Sequence, residues 1–230
     1  MKKIGIVGGI GPESTLMYYR DIVAHAHVRS GDDQYPEVVI ESVNMTKMLS
    51  YFLTGDFDSL ADYLSAAIDT LARSGASFAA LASNTPHLVF DILQKRSAIP
   101  LISIVEKTAD RAKELSLKHV LLTGTGFTMK ASFFADVFAR YGIGIVTPSP
   151  SEIEEIHNII FPELENGIVR PEKRERFLEI TRGQIASQNL DGIILGCTEL
   201  PLIADVDDFT VPVLDTAQIH IDSIVTEYFS

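Results

Sequence analysis

The sequence predicts an α/β protein of two pseudo-symmetric halves, each a three-layer α/β domain with a parallel sheet. Two apolar runs support this prediction, because each has the length of a buried parallel strand and ends in small polar residues. The first run leads into Ser83, and the second leads into Cys197, the one cysteine of the chain. A proline-led apolar strand follows each run, at Pro100 and at Pro212.

A repeat of three features is the other observation behind this fold class. The matching positions are Gly8 and Gly124, Ser83 and Cys197, and Pro100 and Pro212, which are 116, 114 and 112 residues apart. Features that recur nearly in phase indicate an internal duplication, with two halves that can face each other across a cleft. We expect a first domain of residues 1–100 plus 211–230 and a second domain of residues 101–210.

Composition narrows the classes of function. The chain has 230 residues, 46% of them apolar, and a formal net charge of −12. This acidity argues against nucleic acid or an anionic membrane surface as the main partner. The sequence shows no signal region and no apolar run long enough to span a membrane, so a cytoplasmic protein is expected. A single cysteine excludes an internal disulfide and argues against a structural metal site.

The first half begins with a strand at 3–7 and a glycine turn that opens a helix at Pro12. Backbone amides at Gly9 can cradle an anion there, or the glycines can simply allow a tight turn. A dinucleotide fingerprint is a poorer match, because Ser14 stands where its third glycine belongs. A strand at 37–43 precedes Lys47, which either reaches a ligand or lies in a solvated loop.

A helix at 59–74 and the strand before Ser83 complete the centre of the first half. Asn84 and Thr85 then start another helix, where free amides and polar side chains converge. His87 lies just inside that helix, and a structural hydrogen bond is the favoured interpretation of this histidine.

The second half repeats this order. A helix at 105–115 and a strand at 119–123 lead to Thr125 and Thr128, which can cap a helix and contact a ligand. A strand at 141–146, a helix from Glu152, a helix at 171–187 and a strand at 189–195 bring the chain to Cys197 and Thr198. A helix starting at Thr198 would lower the pKa of the Cys197 thiol and favour thiolate.

Two types of chemistry are open to such a cysteine, beside an inert core role. Nucleophilic catalysis needs a histidine base, and only His87 and His220 follow comparable strand ends. Proton abstraction needs two groups on opposite faces of a bound acid, which suits two mirrored strand ends. Helix-start amides and hydroxyls would hold the carboxylate of that acid, and the candidates are Asn84, Thr85, Thr125, Thr128 and Thr198.

Five motifs in order resemble the cofactor-independent aspartate/glutamate racemase family. They are residues 8–15, 84–87, 124–128, 196–199 and 215–220, and the match spans essentially the whole chain. The resemblance implies an amino acid substrate, an active site between two domains, no pyridoxal phosphate, no metal and a homodimer. It also implies two catalytic cysteines, one per half, as acid and base. Cys197 matches the second, and Ser83 replaces the first.

Serine is a far poorer base than thiolate, so three functions remain open. Ser83 can return a proton after Cys197 removes one, which gives a direction-biased racemase. Cys197 alone can protonate an enediolate, as in related decarboxylases of this fold. The chain can also bind an amino acid without turnover. For a dicarboxylic substrate the resemblance implies two basic clamps: Lys47 matches one, and Glu155 stands near the other, which admits neutral or basic side chains.

Overall fold

A computed structural model describes residues 2–31 and 34–230 and divides the chain into two compact units. The first unit comprises residues 1–104 and 220–230, and the second comprises residues 105–219. The strands of the first unit are β1 (Ile4–Gly8), β2 (Val38–Ser42), β3 (Phe78–Leu81) and β4 (Leu101–Ile102). The strands of the second unit are β5 (His119–Thr123), β6 (Gly144–Val146), β7 (Gly192–Leu195) and β8 (Val213–Asp215).

Helices flank both sheets. In chain order they are α1 (Pro12–Ser30), α2 (Met45–Thr54), α3 (Phe57–Arg73), α4 (Phe90–Arg96), α5 (Ile104–Glu114), α6 (Gly126–Lys130), α7 (Phe133–Arg140), α8 (Pro150–Ile160), α9 (Pro171–Gln188) and α10 (Thr216–Tyr228). Short 3₁₀ helices lie at Thr85–Val89, Leu164–Asn166, Leu200–Leu202 and Val206–Asp208. Helix α2 lies where the sequence pattern predicts no helix, and Asn44 caps it by accepting from the Lys47 N–H.

The two sheets have the same topology, which confirms the duplication predicted from the sequence. In the described part of the chain each sheet is four-stranded and parallel, in the orders β2-β1-β3-β4 and β6-β5-β7-β8. Even the backbone bonds just beyond the strands correspond. The Ala82 N–H donates to the Val7 carbonyl at 3.0 Å, and the Gly196 N–H donates to the Thr123 carbonyl at 2.8 Å. Ser83 and Cys197 directly follow these equivalent bonds.

The observed division differs from the expected one in residues 101–104 and 211–219. Strand β8 pairs with β7, from Ile193 opposite Val213 to Leu195 opposite Asp215, so it belongs to the second sheet. The reason is that β7 needs a hydrogen-bonding partner on the edge away from β5, as β3 finds one in β4. Only residues 220–230, the later part of α10, return to the first unit.

Each unit has its own apolar core. In the first unit, α3 turns Leu60, Leu64, Ile68 and Leu71 toward the core, at helical spacing. In the second unit the core is built from residues of α8, α9, β5 and β7. The two central strands of each sheet are buried along their length except at His119, the exposed first residue of β5, as parallel strands covered on two faces require. No helix among the described residues is long and apolar enough to cross a membrane.

Candidate active site

The strand order fixes where each sheet can receive a ligand. In orders such as 2-1-3-4 the connections reverse direction between the first and third strands, and ligands bind beyond the carboxyl ends there. In the first unit this switch point lies between β1 and β3, where Gly9 and Ser83 emerge. In the second unit it lies between β5 and β7, where Thr125 and Cys197 emerge. Ser83 and Cys197 therefore occupy equivalent positions, each just beyond the carboxyl end of a central strand in its own unit.

The turns at the second switch point pack closely enough to require glycine. A Cβ on Gly196 would lie 2.5 Å from the Thr123 carbonyl oxygen, and one on Gly124 would lie 2.9 Å from the Gly196 carbonyl oxygen. The two turns therefore touch through their backbones. This contact brings the Thr125 turn beside Cys197 within one unit.

The Cys197 side chain is buried and hydrogen-bonded. Its exposed fraction is 8%, and its Sγ donates to Glu199 Oε2 across 3.0 Å. The Thr198 hydroxyl donates to the same oxygen across 2.8 Å. Burial raises the pKa of the Cys197 thiol well above its usual range, and the Glu199 carboxylate adds to this rise. Both effects favour the thiol form of Cys197 over the thiolate.

The expected lowering of the Cys197 pKa is therefore wrong. Thr198 does not open an α-helix, since it lies in a turn before the three-residue 3₁₀ helix Leu200–Leu202. A single turn of helix supplies little dipole, whereas burial and a neighbouring carboxylate both disfavour thiolate. Thr198 is followed by a buried carboxylate, Glu199, and then by a single 3₁₀ turn, so no α-helix begins beside Cys197.

Thr125 and Thr128 form a compact hydroxyl pair at the same edge. Thr125 caps α6 by accepting from the Thr128 N–H at 3.3 Å, and the two hydroxyl oxygens lie 3.2 Å apart. Both side chains are buried. His157 Nδ1 accepts from the Gly126 N–H at 3.4 Å, so this backbone donor is satisfied within the unit. The capping expected from the sequence is observed.

At the first switch point, His87 forms hydrogen bonds to the backbone through both ring nitrogens. The Nδ1 atom of His87 lies 3.0 Å from the Ser83 carbonyl, and Nε2 accepts from the Ile104 N–H at 3.2 Å. Because Nε2 accepts, the proton of the neutral ring is on Nδ1 and is donated to Ser83. Burial, with His220 nearby, lowers the pKa of His87 to about 3. His87 has the structural role expected from the sequence, and it fixes the backbone of Ser83.

Asn84 and Thr85 follow Ser83 at the start of the 3₁₀ helix Thr85–Val89, which runs into α4. Asn84 is buried, whereas Ser83 and Thr85 are partly exposed. Gly9 lies across the same switch point at a φ of 77°, with its N–H donated to Thr15 Oγ1 at 2.9 Å. A Cβ there would lie 2.4 Å from the Val43 carbonyl oxygen, so tight packing requires this glycine.

The two residues considered for side-chain recognition have partners of their own. Lys47 is exposed in the first turn of α2, with Nζ 4.6 Å from the centre of the Tyr63 ring. Glu155 on α8 accepts from Arg176 on α9 at 2.7 and 3.2 Å. Because Arg176 balances its charge, Glu155 offers little attraction to a basic substrate side chain. No group of metal-ligating side chains is found in the described residues.

Sequence reasoning missed Glu199 as a functional candidate. Its position two residues after Cys197 was visible, but its burial and its shared bonds were not. Glu165, from the 3₁₀ helix Leu164–Asn166, is a second carboxylate that acts on the thiol. Burial and then Glu199 raise the pKa of Glu165 to about 7. No local sequence pattern links Glu165 to Cys197, because the two are 32 residues apart.

Comparison with known proteins places this chain in one class of enzymes, the racemases. Residues 7–224 match the model of the Asp/Glu/Hydantoin racemase family. The chain belongs to this family.

Three similar proteins align with 99% or more of this chain. The broad specificity amino-acid racemase RacX of Bacillus subtilis is 25% identical over 99% of this chain and 98% of its own. The crystal structure of an aspartate racemase homologue from Pyrococcus horikoshii is 36% identical, with a TM-score of 0.89 and full coverage of both chains. The aspartate racemase of Picrophilus torridus, at 22% identity and a TM-score of 0.77 over 99% and 94% of the two chains, shares the fold. Racemases of this family are isomerases.

Proposed function

We propose that this protein racemises an amino acid without a cofactor, with Cys197 as the main acid and base and a bias in direction. The observation that carries the proposal is the placement of the single cysteine at the switch point of the second sheet, beside Thr125 and Thr128. Equivalent placement of Ser83 in the first unit supports a second, weaker proton donor. Because a serine hydroxyl ionises far less readily than a thiol, the two directions should differ in rate.

The reaction is the transfer of the α-proton. Cys197 as thiolate removes it from one enantiomer, and the electron pair of the broken C–H bond moves into the carboxylate group. Ser83, directly or through water, then returns a proton to the opposite face of the α-carbon. Because burial and Glu199 favour the thiol form, Cys197 must first lose its proton to water, and the α-ammonium group of a bound amino acid favours that ionisation. After the transfer, Cys197 holds the abstracted proton, and water returns a proton to Ser83.

Small polar groups at both switch points are the proposed carboxylate ligands. Hydroxyls and amides stabilise the negative charge that grows on the carboxylate as the proton leaves. The proposed ligands are Gly9, Asn84, Thr85, Thr125, Thr128 and Thr198, with Lys47 as the candidate contact for a side-chain carboxylate. The broad specificity of the Bacillus subtilis racemase supports testing acidic, neutral and basic amino acids alike. The family resemblance also supports a homodimer, which sedimentation would test.

The test is exchange of the α-proton for deuterium. Purified protein is incubated in deuterium oxide with a panel of L- and D-amino acids, followed by mass spectrometry and chiral chromatography. One enantiomer of a substrate should exchange readily, and Cys197→Ser should slow this by about 10²–10⁴-fold. The matched control is Ser187→Ala, an exposed position on α9. Undiminished exchange in Cys197→Ser would contradict the role of the thiol.

One observation favours a second candidate. A buried thiol with a raised pKa stays protonated, so it can supply the proton that an enediolate needs after decarboxylation. Carbon dioxide release from an α-substituted malonate, lost in Cys197→Ser, would favour this reaction. Binding of amino acids without exchange or decarboxylation would instead favour a non-catalytic binding protein.

A further inference from the structure

We propose that Glu199 is the positioning residue for Cys197: its Oε2 accepts the thiol hydrogen bond and keeps the sulfur protonated and fixed in direction until the substrate binds. The inference rests on the proposed function only in taking Cys197 as the reactive group. The hydrogen bond itself does not depend on any assumed reaction.

Two hydrogen bonds end on the same carboxylate oxygen of Glu199. Sγ of Cys197 and Oγ1 of Thr198 donate to the same Oε2 atom of Glu199, at 3.0 and 2.8 Å. Glu199 is 8% exposed, so this carboxylate is largely removed from water and its hydrogen bonds are correspondingly strong. The S–H bond points to Glu199, and the sulfur lone pairs therefore face other directions.

Nearby negative charges favour the protonated form of Cys197, as the hydrogen bond to Glu199 does. Two carboxylates, Glu199 and Glu165, disfavour a negative charge on the Cys197 sulfur. Glu199 combines its charge with a hydrogen bond to the thiol, whereas Glu165 acts through charge alone and is the weaker influence. Substitution of the two by glutamine should therefore change the ionisation of Cys197 in the same direction but by different amounts.

The test uses the fact that Cys197 is the one cysteine in the chain. The rate of alkylation by iodoacetamide, measured across a pH series by mass spectrometry, reports the thiolate of this residue without background. Glu199→Gln should move the curve to lower pH, so that alkylation at a fixed pH is roughly tenfold faster or more. Glu165→Gln should move it less. The matched control, Glu114→Gln, removes an exposed carboxylate that pairs with Arg111 and should leave the curve in place.

Thr198 supplies a variant with the opposite sign. Thr198→Val removes a hydrogen bond from Oε2, which leaves the carboxylate a stronger acceptor for the thiol and should move the curve to higher pH. Thr198→Ser keeps the hydroxyl and should match the wild type. An unshifted curve in Glu199→Gln would overturn the proposal. If Glu199→Gln does not fold, an unshifted curve in Thr198→Val would do so.

Failure of this inference is distinguishable from failure of the proposed function. Alkylation needs no turnover, so a shifted curve without α-proton exchange would support the role of Glu199 and contradict the racemase. In an active enzyme, the rising limb of the pH profile of the exchange rate should move with the alkylation curve in Glu199→Gln. A purely structural role for Glu199 would lower the amount of active protein without moving that limb.

Discussion

The Nδ1 atom of His87 lies 3.0 Å from the carbonyl oxygen of Ser83, and this hydrogen bond makes the first switch point depend on an uncharged imidazole. On the other side of the ring, Nε2 accepts from the Ile104 N–H. A second proton on the ring would remove that acceptor. The state of His87 thus affects both the stability of the protein and the backbone of the proposed proton donor.

The free energy of unfolding should fall as the pH is lowered below about 6.5. The pKa of His87 is about 3 in the folded protein, below its ordinary value, so between these values the unfolded chain binds more protons than the native one. The contribution of His87 is fully present above pH 6.5 and is lost as the pH falls toward 3. Between pH 6.5 and 4.5 this loss amounts to about 2–3 kcal/mol.

Urea denaturation of the wild type and His87→Gln across this range would measure the effect. Glutamine can donate to Ser83 and accept from Ile104 without titrating, so the variant should lose less stability than the wild type as the pH falls. His27→Gln, at an exposed position, is the control and should follow the wild type. Parallel curves for His87→Gln and the wild type would show that His87 does not carry the dependence.

Gly9→Ala should destabilise the protein much more than Gly55→Ala. Both glycines have positive φ, 77° and 70°, so alanine at either position costs about 1–2 kcal/mol in backbone strain. At Gly9 the new Cβ would also lie 2.4 Å from the Val43 carbonyl oxygen, whereas no described atom lies within 4 Å of a Cβ at Gly55. Chemical denaturation should show a difference of at least about 2 kcal/mol. Equal losses would exclude the contact with Val43 as a cause.

Asn84→Ala and Thr198→Ala should each weaken binding of an amino acid carboxylate. A hydrogen bond to a charged group is worth about 1.5–3 kcal/mol, so the dissociation constant should rise roughly tenfold or more. Isothermal titration with L-aspartate and L-alanine, in the Cys197→Ser background to prevent turnover, would measure this. Thr70→Ala, at a partly exposed position on α3, is the control. Unchanged binding in both variants would remove these residues from the carboxylate site.

Ser83→Cys should reduce the bias between the two directions. A thiol at Ser83 ionises far more readily than a hydroxyl, so the enantiomer that reacts slowly in the wild type should gain at least about 10²-fold in exchange rate. Initial rates from each enantiomer, measured separately in deuterium oxide, would test this. An unchanged ratio of the two rates would show that Ser83 does not deliver the second proton.

The sequence by itself determined where the central strands lie, that the fold is duplicated, and where the candidate active-site residues stand relative to those strands. Apolar runs that end at Ser83 and Cys197 are local patterns, and local patterns decide which segments become buried parallel strands. The repeat then fixes one strand order for both halves, and that order places the two residues at equivalent switch points. Five short motifs were enough to indicate the family, and four of them begin at or just after the end of a strand.

Only the tertiary structure decided which groups surround Cys197 and whether these groups favour its thiol or its thiolate form. Ionisation depends on burial and on charges brought together by folding, so Glu165, 32 residues away along the chain, and the orientation of Glu199 left no local signal. Pairing of β8 with β7 likewise depends on a free strand edge rather than on the residues of β8. The pairing of Glu155 with Arg176 has the same origin, because it requires α8 and α9 to lie side by side.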